Sequence, residues 1–239
     1  MAIHLIYDPI YLKHDTGAHP ENARRLEAIL QALEGDETIS ARIHRMKPRP
    51  APDEAIARCH REELIHHLRR LCEQGETYVD ADTRISPDSF DAACFAAGAA
   101  LEAVDAVMKE DGGRAFASIR PPGHHATVSS AMGFCLFNNA AIGARYAQAR
   151  YGVERVLIID WDVHHGNGTQ EIFWTDPTVF YFSTHQYPYY PGTGSAAERG
   201  GGKGEGFTLN IPLPAHTSAR DHRRAFTDGL HEIEKKFHP

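Results

Sequence analysis

The chain has 239 residues, 42% of them hydrophobic and 24% charged, with a formal net charge of −7, the profile of one globular domain large enough to bury a core. That charge balance speaks against a nucleic-acid surface, which is built on clustered Lys and Arg, and leaves basic protein partners open. No apolar run approaches the roughly 18 residues of a membrane span, and the opening "MAIHLIYDPIY" lacks the basic n-region of a signal peptide, so no membrane and a cytoplasmic location are expected.

The segment "AIHLIYD" predicts a first strand, and "PENARRLEAILQALEG" a helix with Leu26, Ile29, Leu30 and Leu33 at helical spacing and Gly35 as its stop. Residues 53 to 74 have helical period through Leu64, Ile65, Leu68 and Leu71. A long helix follows, with Ser86 as N-cap, Pro87 at its first position and Gly112–Gly113 as its stop. Next come a strand "RAFASIR", a loop "PPGHHATVSSAMGF", a helix from about Asn138 to Arg150 and a strand "RVLIIDWD". A short helix near Gly168 to Trp174 leads to the strand "TVFYFST", a glycine-rich loop from Pro191 to Gly206, the strand "FTLNIPL" and a helix carrying Phe226, Leu230, Ile233 and Phe237.

Helices alternating with near-continuous apolar strands predict an α/β fold in which a mostly parallel sheet is covered on both faces, three layers α/β/α. With no repeat, linker or second core in view, residues 1–239 read as one domain. A strand should follow the last helix, so that domain reads as incomplete at its C-terminus. The four cysteines form no CxxC pair and are expected to be buried, reduced thiols. The sixteen histidines are the compositional anomaly.

In "IIDWDVHHGNGTQ" an extended strand would project Asp160, Asp162 and His164 to one side and Trp161 and Val163 to the other. That places three polar groups at a strand's C-terminal end, where open α/β sheets bind ligands. Carboxylates in dry surroundings are costly unless paired or bound to a cation, and Asp with His suits a divalent metal such as zinc. "RPPGHHA" sets tandem His124 and His125 after a rigid turn. Histidine is the natural general base near neutral pH, and Asp160 and Asn167 are candidates to fix the two tautomers.

"RPPGHHA", "GFCLFNNAAIGARY", "DWDVHHGNGTQ" and "YYPGTG", in this order and joined by "HPENARRLEAI" near the start, resemble the zinc-dependent histone deacetylase family, with its bacterial deacetylase-like amidohydrolases and acetylpolyamine amidohydrolases. The resemblance spans essentially the whole chain and implies the arginase/deacetylase-like fold. It further implies that Asp162 and His164 are two of three Zn2+ ligands, and that Asp160 and Asn167 partner His124 and His125. Asn167, where some members carry Asp, is similar to the class II-like branch. In such an enzyme the metal polarises an amide carbonyl and activates water, His125 passes the proton to the leaving amine, and His124 acts electrostatically. Gly133, Phe134 and Tyr190 resemble the walls of a narrow channel for an acyl-lysine stem. A K+ site at Asp160, Asp162, His164 and Ser183 is implied in the same way. Cys135 has no independent activating base and is not read as a nucleophile.

The family's third metal ligand, an Asp, and its oxyanion-stabilising Tyr or His have no matching motif in these 239 residues. Asp221 and Asp228, the remaining carboxylates considered, fall on the last predicted helix. The expectation is therefore a deacetylase acting on acetylated lysine or acetylated polyamine, in a truncated form with impaired activity; a homo-oligomer is compatible with it. A non-catalytic binder of acyl-lysine or polyamine is the alternative. An arginase-like manganese hydrolase is disfavoured, because its ligand order is D-x-H-x-D and the order here is D-x-D-x-H.

Overall fold

The computed structural model describes residues 3–109 and 113–239, in two compact units, Met1–Tyr151 and Gly152–Pro239. Every pairing between named strands is parallel.

In the first unit β1 (Ile3–Ile6) lies between β2 (Ile43–Met46) and β3 (Ala115–Ala117). The apolar β1 is central, with Leu5 and Ile6 buried. Sequence reasoning missed β2: "IHRM" puts two polar residues mid-strand, and its inner positions are exposed at the sheet edge, where a short charged strand is tolerated. Helix α1 spans Arg24–Gly35 as expected and is followed by the one-turn α2 (Glu37–Ser40), which Asp36 caps through Thr38 N and Ile39 N.

The single helix expected over 53–74 is two helices, α3 (Asp53–Ile56) and α4 (Glu62–Glu73). Between them Arg61 N leaves the helical pattern to donate to Val128 O at 2.8 Å, and His60 turns inward, 2% exposed. Helix α5 (Ser89–Lys109) begins later than its cap implied. Ser89 Oγ accepts Ser86 N at 2.7 Å while Ser89 N donates to Ser86 O at 2.9 Å, a reciprocal closure in which serine does what Glu usually does in a capping box. Its expected glycine stop begins at Gly112, outside the described residues. Helix α6 (Asn139–Tyr151) packs along α5. Asn138 caps α6, its Oδ1 accepting Ala141 N at 3.1 Å.

The second unit is built on a sheet of order β4–β5–β6, formed by Val156–Asp160, Val179–Gln186 and Thr208–Leu213. Helix α7 (Asn167–Phe173) follows β4, and α8 (Ala219–Glu234) follows β6. Phe180, Phe182 and Leu209 of the sheet pack with Ile233 of α8 and with Phe237 beyond its end to form the core, and Phe226 and Leu230 of α8 pack against it. β4 is shorter than "RVLIIDWD" suggested and stops at Asp160. Trp161 and Val163 are exposed beyond it.

Among the described residues no helix is long and apolar enough to cross a membrane. All four cysteines are buried and outside any disulfide, and burial pushes the thiols of Cys59 and Cys94 up to about 12.

Candidate active site

The first unit carries His124, His125, Gly133 and Phe134. After β3 the chain enters the Arg120–Pro121 turn, which is anchored from below. Arg120 and Glu21, both almost fully buried, form a two-pronged ion pair, with Nη2 donating to Oε2 at 2.7 Å and Nε to Oε1. A third guanidinium donor, Nη1, reaches Tyr11 O at 2.9 Å. The "HPE" of the first loop and the "RPP" of the turn are thus one structural element.

Past that turn the rings of His124 and His125 lie 4.0 Å apart between centroids. His125 is 3% exposed, and its N donates to Cys135 Sγ at 3.4 Å while that thiol donates to Gly133 O. Cys135 therefore frames the histidine loop. The His125 ring also covers Gly133, where an added Cβ would stand 2.5 Å from Cδ2 and φ is +55°; only glycine fits. Phe134 itself has φ 70°, an uncommon left-handed conformation for an aromatic residue. It is held there by Thr83 Oγ1, which accepts its N at 3.2 Å, and by the His19 ring, met edge-on at 4.4 Å.

His60, which sequence reasoning did not single out, clamps this loop from behind. Its Nε2 accepts Asn138 N at 2.9 Å, so Nδ1 carries the hydrogen and donates to Thr127 O at 2.8 Å. The ring is neutral, and burial lowers its pKa from the ordinary 6.5 to about 4. His14 is similarly lowered to about 4 by burial, with Glu21 opposing the shift and Arg120 adding to it. Below 6.5 the unfolded chain binds protons that these folded-state rings refuse, so their stabilisation is complete above that pH and is lost as pH falls toward 4. The expected loss in this unit is roughly 2–3 kcal/mol per histidine. Denaturant titrations between pH 8 and 4 check it, and His60→Gln should flatten that dependence.

The second unit carries Asp160, Asp162, His164, Asn167, Ser183 and Tyr190. Of Asp160, Asp162 and His164, only Asp160 is on strand β4. Its Oδ1 accepts Asp162 N at 3.1 Å, and Asp162 Oδ1 in turn accepts His164 N at 2.8 Å. Two successive Asx turns, rather than strand alternation, bring the three residues together. The expected dry setting is also not what this unit has: the side chains of Asp162 and His164 are 50% and 32% exposed. Asp160 Oδ2 accepts the Tyr181 hydroxyl at 3.2 Å, and burial drives that phenol well above its ordinary pKa. Register sets Asp160 opposite Ser183, whose hydroxyl bonds His185 Nδ1 at 2.8 Å. Asn167 opens α7, its N donating to His165 O at 2.9 Å.

The His164 ring stacks on Tyr189 at 5.1 Å and meets Tyr190 edge-on at 6.0 Å. Tyr190 is therefore beside His164, and Tyr189 is a neighbour that the sequence did not single out. The turn bearing both tyrosines is fastened by Glu198. Burial acts to raise that carboxyl's pKa, but hydrogen bonds from Gln170, Ser195 and Gly194 outweigh it and hold the group below its ordinary range.

Asp162 Oδ1 and His164 Nδ1 stand 3.0 Å apart, and in kind they are donors that zinc takes. In number they fall short of the three protein ligands usual for catalytic zinc. Among the described residues no group of three or more His, Cys, Asp or Glu is placed to hold a metal. Asp221 and Asp228 do not make up the difference: Asp221 takes the Ser218 hydroxyl at 2.7 Å at the start of α8, and Asp228 faces Arg224 at 3.8 Å on its exposed side.

In open parallel α/β sheets the C-terminal ends of the strands are where ligand sites form, and the histidines and carboxylates of each unit follow strands in this way. Residues 19–239 match the histone deacetylase domain model, and the chain belongs to that family. It is 46% identical over 226 residues to an uncharacterized protein of Synechocystis, covering 93% of this chain and 73% of the relative. It is 41% identical to a probable deacetylase of Archaeoglobus fulgidus, covering 100% of this chain and 67% of the other. A histone deacetylase-like amidohydrolase of Pseudomonas aeruginosa is 40% identical, with coverages of 81% and 50%. The solved HDA15 HD domain superposes with a TM-score of 0.83 at 38% identity, covering 88% of this chain and 61% of that one. The fold is therefore the three-layer α/β/α fold of deacetylases, and the chain spans only about half to three quarters of these relatives.

Proposed function

We propose that this chain carries the proton-transfer histidines and two of the metal ligands of a zinc-dependent amidohydrolase that removes the acetyl group from an acetylated lysine side chain or an acetylated polyamine. The observation that carries the reading is the buried His125 ring, seated on Gly133 and in contact with His124. A buried imidazole with a half-buried imidazole beside it suits general base and acid work near neutral pH. In this reading a ring nitrogen of His125 takes a proton from the hydrolytic water and returns it to the leaving amine. His124 contributes electrostatically, and Asp160 and Asn167 fix the two rings. Gly133, Phe134 and Tyr190 grip the acyl-bearing stem by apolar contact. Asp162 and His164 are the protein's oxygen and nitrogen donors to zinc, and the K+ at Asp160, Asp162, His164 and Ser183 belongs to the same proposal.

Elemental analysis run beside hydrolysis assays on an acetyl-lysine peptide and an acetylpolyamine tests it. In a form of the protein that supplies the third metal ligand, Asp162→Ala and His164→Ala are each expected to abolish stoichiometric zinc. Zinc retained in both variants would overturn the ligand assignment. Tight binding of either substrate without turnover, in a form that does supply the third ligand and an oxyanion donor, would favour the non-catalytic binder instead.

A further inference from the structure

The turn that carries Tyr189 and Tyr190 has no regular secondary structure to hold it, yet it is tied at one end by a directed set of hydrogen bonds. His185 Nε2 donates to Gly194 O at 2.8 Å, and the Thr193 hydroxyl bonds His165 Nδ1 at 2.8 Å. Gly194, at φ +91°, is squeezed between these two imidazoles: an added Cβ would stand 2.5 Å from each. Glu198 supplies the only anion in this set. Its Oε1 accepts Ser195 N at 2.9 Å and Gly194 N at 3.0 Å, and its Oε2 accepts Gln170 Nε2 at 2.7 Å.

The polarity continues past Glu198. With its amide hydrogens turned to the carboxylate, Gln170 presents Oε1 to Asn210 Nδ2 at 2.7 Å and to His165 Nε2 at 3.1 Å. A carboxylate accepts only, so one group at 198 can take the donors of the turn and of α7 together. An amide there would set one NH2 against another.

We propose that Glu198 is a positioning residue: through Gly194 and Ser195 it fixes the turn that presents Tyr190 beside His164, and through Gln170 it registers that turn on α7 and β6. Its bearing on substrate rests on the reading of Tyr190 as a channel wall; its bearing on the turn does not.

Hydrogen exchange at Gly194 and Ser195, resolved by NMR on the 239-residue chain, tests the proposal. Both amides are expected to be protected in the parent. In Glu198→Gln, exchange at both should accelerate by about ten- to a hundredfold, the scale of a lost hydrogen bond to a charged group. Pairing that change with Gln170→Glu moves the anion one residue along but restores the donor-to-acceptor order, and should return both amides to parental protection. If Glu198→Gln does not fold, the double variant alone decides, because only restored polarity would let it fold with both amides protected. Unprotected amides in the parent, unchanged exchange in Glu198→Gln, or no rescue by the double variant would each overturn the proposal. On an acetyl-lysine peptide, Glu198→Gln should raise KM about tenfold with kcat within about threefold. A parent without turnover would remove the functional reading while leaving the exchange result to decide the positioning role.

Discussion

Glu21→Ala is expected to destabilise the first unit by about 3–5 kcal/mol, the cost of leaving a buried charge without its partner. Arg120 cannot lose its proton, and at 2% exposure it cannot turn its guanidinium to water. Tyr11 O and Thr16 Oγ1 would remain as acceptors, at 2.9 and 3.5 Å, but both are neutral. Glu21→Gln keeps an oxygen in place and should recover only part of the loss. The shift belongs in the denaturant midpoint with the slope unchanged; a midpoint within 1 kcal/mol of the parent by this measure would mean that the Arg120 turn is held by other contacts.

The second large effect concerns turnover. Within the proposed function, and in a form of the protein that supplies the third metal ligand and the oxyanion donor, His125→Ala is expected to lower kcat by about 10²–10⁴, the range typical of a positioned general base, while bound zinc stays at the parental ratio. The two readouts separate a proton carrier from a ligand. Its ring also covers Gly133, so part of the loss could come from a loosened channel wall. His125→Gln, which keeps bulk over that glycine, should remain as impaired as the alanine variant. Activity within threefold of the parent in both variants would place the base elsewhere.

Elements with long, clean periods were legible in the sequence. The alternation of apolar strands with helices gave the α/β class, and α1, α5, α6 and α8 fall where their spacing put them, apart from shifts at their caps. What stayed hidden has particular causes. β2 is short and polar at its centre, so nothing in "IHRM" separates an edge strand from a loop. The break between α3 and α4 depends on Val128, 67 residues beyond Arg61 in the chain, a contact no local period can announce. At the site, the closeness of Asp162 to His164 was expected but its cause was misread: a strand face was assumed where Asx turns do the work. Asp at 160 and at 162, each two residues before the amide its Oδ1 accepts, was the available signal. Glu21 was visible in "HPENARR" without a partner to assign, since Arg120 is 99 residues away.

The placement of the cysteines has a practical consequence. Cys59, Cys72, Cys94 and Cys135 are all buried and outside any disulfide, and all fall within Met1–Tyr151. Only a thiolate is alkylated at speed, and burial holds the pKa of Cys59, Cys72 and Cys94 above the ordinary thiol value. An alkylating reagent should therefore label these sulfurs only during excursions that open their surroundings. Mass spectrometry of pulse-labelled protein would then report breathing at four interior points of one unit and stay blind to Gly152–Pro239, a built-in footprint that needs no engineered probe.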